Sequence, residues 1–400
     1  MHSAADGLLA RIRIPGGALP GTALAGLAAA AAELGDGSLE LTSRANLQLR
    51  GLAADSAGDL TGRLRELALL PSLSHERVRN ILASPLSGLD GRGHADVQGL
   101  VTSLDRALCA RPRLASLPGR FLVAIDDGRG DLQACQADVR VTALSSRELH
   151  IWPGDVAISV EDAVTVVLAL MESFLDERDA QATTSERAAW RIHELTDGAA
   201  LVAARAMAES GPAHHRLRSP RRSPVPQAIG VIEQCDGRHA LAVVPPLGRL
   251  DAAQARCLAT LCGPRGLRIT PWRTVVLTDV TDTDQAMAAA AAAGLGVTGD
   301  SPWFGVTSCA GRPGCAKALA DVQADARAVV AAGVGVAGGQ RVHWSGCERR
   351  CGRPAGKVVD VQADGTGYGV HDASGRIRRV ADHTNLGKLI EAIRHAKENA

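Results

Sequence analysis

Near the end of the chain, Ser308-Cys309-Ala-Gly-Arg-Pro-Gly-Cys315 is followed by Ser345-Gly346-Cys347-Glu-Arg-Arg-Cys351-Gly352. Five residues separate the first pair of cysteines and three the second. An iron–sulfur cube takes one soft sulfur ligand per corner iron, so four thiolates on turns bearing Gly and Pro suit it. Structural zinc and plain buried thiols compete with this reading. Zinc sites pair cysteines about two to four residues apart, and a five-residue gap falls outside that habit. Tight Gly- and Pro-flanked pairs are not core-helix patterns either. Cys257 and Cys262, in Ala/Leu helical context, fit the core role better, as do Cys109, Cys135 and Cys235. The quartet favours a redox cluster.

Composition narrows what such a cluster could serve. Four hundred residues, 46% apolar and 22% charged, suffice for two or more domains with real cores. A net charge of +1 and 2% aromatic residues argue against nucleic acid, which needs cationic surface and stacking platforms. The cations are unusual in kind, forty Arg against four Lys. Arg is the side chain suited to gripping carboxylates bidentately, so a polyacid ligand fits. The first residues lack a basic segment leading into an apolar run, and Ala163 to Met171 is too short to span a bilayer. A cytoplasmic protein is expected, with its cysteines free, catalytic or metal-bound.

The elements that position these residues recur. Arg11-Ile-Arg-Ile14 is a strand ending in Pro15-Gly16-Gly17, and Thr22 to Leu34 is a helix closed by Gly35. Leu39 to Arg50 alternates, with Leu39, Leu41, Leu47 and Leu49 on one face and Arg and Gln on the other. Asp59 to Leu69 is helical. A shift of 228 residues lays Leu39 on Leu267, Leu41 on Ile269, Thr42 on Thr270, Leu19 on Leu247, Gly35 on Gly263 and Pro85 on Pro313. The chain therefore reads as two related halves with a site between them. Under that shift Ile81 and Ser87 lie over Cys309 and Cys315, so only one half carries the cysteines. Segment 211–226, with its prolines and arginines, reads as an extended linker. Helices are expected over 161–175, 185–208, 251–261, 284–293 and 316–332. Gly333-Val-Gly-Val-Ala-Gly338 has the letters of a dinucleotide fingerprint in the reverse context, after a helix and before a strand, and reads as a turn.

The C-x5-C, C-x3-C arrangement with Gly before its third cysteine resembles the cluster motif of the sulfite and nitrite reductases. The resemblance covers nearly the whole chain, and it implies an α+β fold of two pseudo-symmetric halves. Each half would hold a ferredoxin-like half-domain and an α/β reductase-type lobe. The implied partition is 1–70, 71–210, a linker at 211–226, 227–295, and a cluster-binding lobe at 296–400. It further implies a 4Fe–4S cluster on Cys309, Cys315, Cys347 and Cys351. Lys317, just after Cys315, reads either as an offset to the cluster's charge or as a solvated lysine at a helix start. Thr42-Ser43-Arg44 with Gln48 resembles the family's Thr-x-Arg strand, Arg79-Asn80 its Arg-Asn motif, and Arg120 the first cation of its Lys-Phe-Lys segment. These positions face a tetrapyrrole in the family.

Leu122 departs from that pattern, standing where the reductases carry a second cation. The opening Asp6-Gly-Leu-Leu-Ala-Arg-Ile-Arg-Ile-Pro-Gly-Gly17 and the 41–52 strand are more similar to the precorrin-3B synthases, which use the tetrapyrrole site for a substrate. That resemblance implies oxidation of precorrin-3A by dioxygen to a C20-hydroxylated γ-lactone, in aerobic cobalamin synthesis. A separate electron-donating reductase and a mononuclear non-haem iron are implied with it. The alternatives are a sirohaem-dependent sulfite or nitrite reductase, and a non-catalytic electron carrier or tetrapyrrole-binding protein. No ligand triad for the extra iron is visible, and Asp126-Asp127-Gly128 reads as a turn with capping carboxylates. His343, in an alternating strand, reads as a hydrogen-bonded structural histidine.

Overall fold

The structure is a computed structural model that describes the chain except for residues 183–187, 211–214, 218–226, 334–339, 355, 373–375, 381–385 and 391–400. Two five-stranded antiparallel sheets sit at its centre. The first runs, edge to edge, through His2–Ala4, Gly7–Ile12, Leu47–Leu52, Ser38–Leu41 and Arg249–Asp251. The second runs through Gly230–Glu233, His239–Val243, Val275–Val280, Leu267–Ile269 and Ala18–Leu19. Each sheet is thus completed by a short strand from the other half. Leu250 pairs with Leu39 on one side and Leu19 with Leu267 on the other.

Helices Gly21–Leu34 and Ala252–Leu261 follow the exchanged strands and pack on each other. Alanine-rich faces allow the approach. A Cβ on Gly21 would stand 2.7 Å from both the Ala259 carbonyl and the Cys262 sulfur. The second helix begins in a capping box, with the Gln254 N–H on Asp251 Oδ1 at 2.8 Å and the Asp251 N–H on Gln254 Oε1 at 3.0 Å. Leu27, Leu39, Leu47 and Leu49 share one core with Leu258, Leu267 and Leu277. The halves therefore have no separate interiors here.

Two lobes flank this centre. Each begins with two parallel strand pairings and continues antiparallel. One lobe has Ile81–Ala83, Val123–Asp126, Val139–Ala143, Glu148–Trp152 and Val156–Ser159. The other has Val306–Ser308, Arg341–Ser345, Val358–Ala363, Tyr368–His371 and Ile377–Val380. Phe121 against Phe174, with ring centroids 4.9 Å apart, marks the first lobe's core. Trp344 edge-on to Tyr368 at 5.4 Å marks the second. Among the described residues no helix is long and apolar enough to cross a membrane.

The repeat is real but its offset is not constant. At the strand pair it is 228, and the turns there match, with Ala45 at φ 53° and Arg273 at φ 62°. Earlier it is 231: Pro15–Gly17 corresponds to Pro246–Gly248, with Gly16 at φ 65° and Leu247 at φ 56°. Leu19 therefore answers to Leu250, not Leu247, because the helices between are 14 and 10 residues long. In the lobes Ile81 pairs with Val123 as Val306 pairs with Val342, an offset of 225 that puts Ser84 where Cys309 stands. Ile81 is a strand residue and does not take that place, and Pro85 does not answer to Pro313.

The helix expectations shorten in two places. Residues 191–197 hold a 3-10 turn at Ile192–Glu194 and a left-handed Asp197, so the helix there is Gly198–Ser210. The last long helix is Val322–Ala331, leaving 316–321 to the cysteine loop. The expected linker lies largely outside the described residues, although His215–Arg216 pairs with Val156–Ala157. The Gly333–Gly338 turn lies outside them beyond its first residue.

Gly17 shows how tightly the exchange is drawn. It sits at φ 70°, and a Cβ there would stand 2.1 Å from the Ile269 carbonyl oxygen. Gly37, at φ 80°, has nothing within 4 Å of such a Cβ. Gly17→Ala is predicted to cost about 2–4 kcal/mol and Gly37→Ala about 1–2 kcal/mol. Equal losses in chemical denaturation would contradict this account.

Candidate functional site

The first sheet carries a row of polar side chains across four strands. Register pairs Arg11 with Gln48, Gln48 with Glu40, and Glu40 with Arg249. Period-two alternation puts leucines on the opposite, core face, which is why the row faces outward. It lines a cleft of about 830 Å³ whose other wall includes Cys309, Cys315, Cys347 and Cys351. All four cysteines and Gln48 therefore open on one space.

The parallel strands Val306–Ser308 and Arg341–Ser345 end side by side and deliver the two cysteine turns together. The Cys309 N–H donates to the Trp344 carbonyl at 2.9 Å, and the Gly346 N–H reaches Cys309 Sγ at 3.2 Å. Burial raises the Cys309 thiol pKa, while the Gly346 and Gly311 N–H groups oppose the rise. Gly346 is required where it stands, because a Cβ would lie 2.7 Å from the Ala318 Cβ. Ser308 Oγ and Ser345 Oγ are buried without hydrogen-bond partners beside these turns.

Four soft donors on one cleft, with N–H groups aimed at sulfur, suit a 4Fe–4S cluster. Among the described residues no group of three or more His, Cys, Asp or Glu side chains is arranged to hold a single metal ion. His343 is fully buried: its Nε2–H donates to the Cys351 carbonyl at 3.1 Å, leaving Nδ1 to accept from Thr307 Oγ1 at 2.9 Å. Burial, with Arg273 nearby, pushes its pKa down to about 3. It braces the fourth cysteine's turn as a neutral ring.

Cations crowd the cleft. Arg50 holds Asp6 through Nε and Nη2 at 3.0 Å and also donates to the Gly314 carbonyl, tying the first sheet to the Cys315 loop. Arg249 reaches Glu40 at 3.1 Å and Gln323 at 2.9 Å, and Gln323 Nε2 in turn donates to the Cys309 and Ala310 carbonyls. Arg273 donates to the Gly352 carbonyl at 2.6 Å, and burial lowers its pKa. Arg11, Arg273, Lys317 and Arg349 line the cleft and pair with no carboxylate among the described residues. Glu40, itself pushed up by burial, is the one acid on this wall.

A second cavity of about 310 Å³ shares Ser43, Gly248 and Arg273 with the cleft. Arg44, Leu122, Asp131, Cys135, Arg191 and Trp303 are among its lining. Arg44 borders this cavity, not the cysteine cleft, and donates to the Gly119 and Arg120 carbonyls at 3.0 and 2.9 Å. Leu122 is buried on its wall, its N–H on Asp138 Oδ2 at 2.9 Å.

Three expected ligand-facing residues line neither space. Arg79 is closed into a bidentate pair with Asp105, 2.7 Å to each oxygen, and also donates to the Leu69 carbonyl. Asn80 Nδ2 holds the Arg77 and Gly119 carbonyls, both at 3.1 Å. Arg120 is exposed, its guanidinium carbon 5.4 Å from the centre of the Trp190 ring. The cause is position: 79–80 precede the Ile81–Ala83 strand on the side of helix Gln98–Cys109, which supplies Asp105. Asn80 braces the 119–120 turn that Arg44 also grips. Of the cations that do face the cleft, Lys317 is marked in the sequence by its place after Cys315, and the others are not among the expected ligand-facing residues. Arg50 shares its strand face with Gln48, and that alternation was the available signal; Arg249 and Arg273 had none.

Comparison with known proteins agrees with this architecture. The nitrite/sulfite reductase ferredoxin-like half domain matches twice, at residues 2–67 and 232–293. A precorrin-3B synthase of a Sinorhizobium species is 28% identical, over 99% of this chain and 88% of its own length. A ferredoxin–nitrite reductase of Synechococcus elongatus is also 28% identical, over 88% of this chain and 75% of its own. The NirA protein of Mycobacterium tuberculosis shares the fold, with a TM-score of 0.76 at 22% identity over 98% of this chain and 82% of its own. The chain thus contains two nitrite/sulfite reductase ferredoxin-like half domains, each completed by a strand of the other.

Proposed function

We propose that the chain is an iron–sulfur monooxygenase that converts precorrin-3A to precorrin-3B. The observation that carries this reading is the cleft between the halves, where cations without carboxylate partners face four cysteines. Uncompensated Arg11, Arg273, Lys317 and Arg349 suit a polycarboxylate tetrapyrrole, whose acid groups they would hold in charge-assisted hydrogen bonds. The near-full-length likeness to a precorrin-3B synthase supports the same choice. Net monooxygenation is R–H + O₂ + 2 e⁻ + 2 H⁺ → R–OH + H₂O, with the electrons drawn from an external reductant.

Cys309, Cys315, Cys347 and Cys351 would hold a 4Fe–4S cluster, which supplies electrons one at a time. The other residues bind and orient. Arg249 and Gln323 fix the Cys309 turn relative to the first sheet, and Arg50 fixes the Cys315 turn. Leu122 and Trp303 give the second cavity apolar walls. Reduction of sulfite or nitrite binds a small anion, which a cationic donor at position 122 would favour.

A sirohaem-dependent nitrite or sulfite reductase is the second reading, favoured by the equal identity to the cyanobacterial enzyme. The optical spectrum of anaerobically purified protein separates the two. A cluster alone gives a broad brown shoulder; stoichiometric sirohaem adds Soret-like and red bands, and with sulfite or nitrite turnover would refute the oxygenase.

Cys347→Ser is predicted to abolish cluster absorbance and labile sulfide; an unchanged spectrum rejects the ligand assignment. Arg11→Gln and Arg349→Gln are each predicted to weaken binding of uroporphyrin, an octacarboxylate tetrapyrrole, by roughly tenfold or more. Binding that ignores both substitutions, measured by fluorescence quenching, would place the ligand elsewhere. Leu122→Lys is predicted not to confer sulfite reduction.

A further inference from the structure

The two lobes place different chemistry at the same position. In the second, the turns after strands Val306–Ser308 and Arg341–Ser345 carry the cysteines. In the first, the turns after Ile81–Ala83 and Val123–Asp126 carry Ser84 and the segment Asp126-Asp127-Gly-Arg129-Gly-Asp131. Pairing of Val123 with Ile81 and of Val342 with Val306 makes these turns equivalent. Where one half has thiols, the other has carboxylates.

Those carboxylates are not equally provided for. Asp126 accepts from the Gly128, Gly130 and Leu132 N–H groups at 2.9–3.0 Å. Asp127 and Asp90 share Arg129, each with bonds of 2.8–3.1 Å. Asp131 comes last: its nearest approach to Arg129 is 4.0 Å, and among the described residues its one close partner is Ser84 Oγ at 2.7 Å. Its side chain is 7% exposed, yet it lines the second cavity beside Cys135. One guanidinium, already committed to two acids, cannot also hold a third against two negative neighbours.

We infer that Asp131 is a carboxylic acid that donates protons into the cavity between the halves, which shares Ser43, Gly248 and Arg273 with the cysteine cleft. It rests on the oxygenase reading in one respect, that this reaction consumes two protons. Asp131 gives its proton to the oxygen that leaves as water and is reprotonated from solvent; the second proton comes from solvent, and both electrons from the external reductant. Val306 and Thr307, in the strand leading to Cys309, line the same cavity as Asp131. Burial, then Asp126 and Asp127, push the Asp131 pKa up to about 7, against Ser84 and Arg129. The other charged groups on this cavity are Arg44, Arg191, Arg273, Arg341 and Arg353, and burial keeps the Cys135 thiol protonated by raising its pKa to about 11.

The ligand-free protein gives the first test. Its folded state keeps a proton on Asp131 that the unfolded chain loses near the ordinary 3.8, so the folded state binds more protons between about pH 4 and pH 7. Wild-type stability should therefore fall over that window relative to Asp131→Asn. In wild-type minus Asp131→Asn difference spectra, the infrared carbonyl band of a protonated carboxyl should be present at pH 6 and absent at pH 9. Without that band at pH 6 the inference is overturned, whatever the protein turns over. In turnover, Asp131→Asn should be about 10²-fold slower and lose the fall in rate above neutral pH. Ser84→Ala, which removes the hydroxyl that favours the charged form, should move that fall to higher pH. An Asp131→Asn enzyme with the wild-type rate and pH profile overturns the donor while leaving the oxygenase standing. A wild-type protein that shows the band but reduces nitrite overturns the oxygenase and leaves the acid.

Discussion

The structure depends on a reciprocal exchange of two short strands. Arg249–Asp251 completes the first sheet and Ala18–Leu19 completes the second. Because each exchanged strand leads directly into one of the two packed helices, sheets and helices are locked by the same few residues. The cleft is a product of that lock. Arg249 lies in an exchanged strand, so the pairing that closes the first sheet also adds the last member of the row facing the cysteines.

The cleft is held open by charge that the protein does not neutralise itself. Crowding guanidinium groups in a partly desolvated space is unfavourable, and burial lowers the pKa of Arg273. Where a cation does structural work it has an answer, as with Arg50 and Asp6 or Arg79 and Asp105. Arg11, Arg273, Lys317 and Arg349, which have none among the described residues, line the cysteine cleft. A polyanion entering there would relieve the repulsion and shed little hydration from its partners, since Arg is weakly hydrated.

Much of this was legible in the sequence. Cysteine spacing and Gly/Pro context put the quartet on turns, and alternation at 39–50 marked the polar face, although the single strand read there is two, Ser38–Leu41 and Leu47–Leu52, paired across a turn. The repeat was visible, but loops and helices of different length slide it from 231 to 228 to 225, and a single offset hid the match of Ser84 to Cys309. Arginine roles were the least legible. Arg79 and Arg120 sit in matching motifs, yet the first is taken by Asp105, 26 residues away, and the second by Trp190. Nothing local to an arginine says which acid three-dimensional packing will bring to it. Arg50 differs because its strand position relative to Gln48 already fixed its face.

The exchange also bears on how the halves are held as one molecule. Covalent connection through residues 211–226 adds effective concentration, whereas the pairings of Leu19 with Leu267 and Leu250 with Leu39 supply contact. A chain cleaved in that segment would keep both sheets, with two fragments each holding a strand the other lacks. Neither fragment alone could close its own sheet edge, so each would fold fully only with its complement. In this sense the protein is an obligate heterodimer written as one polypeptide.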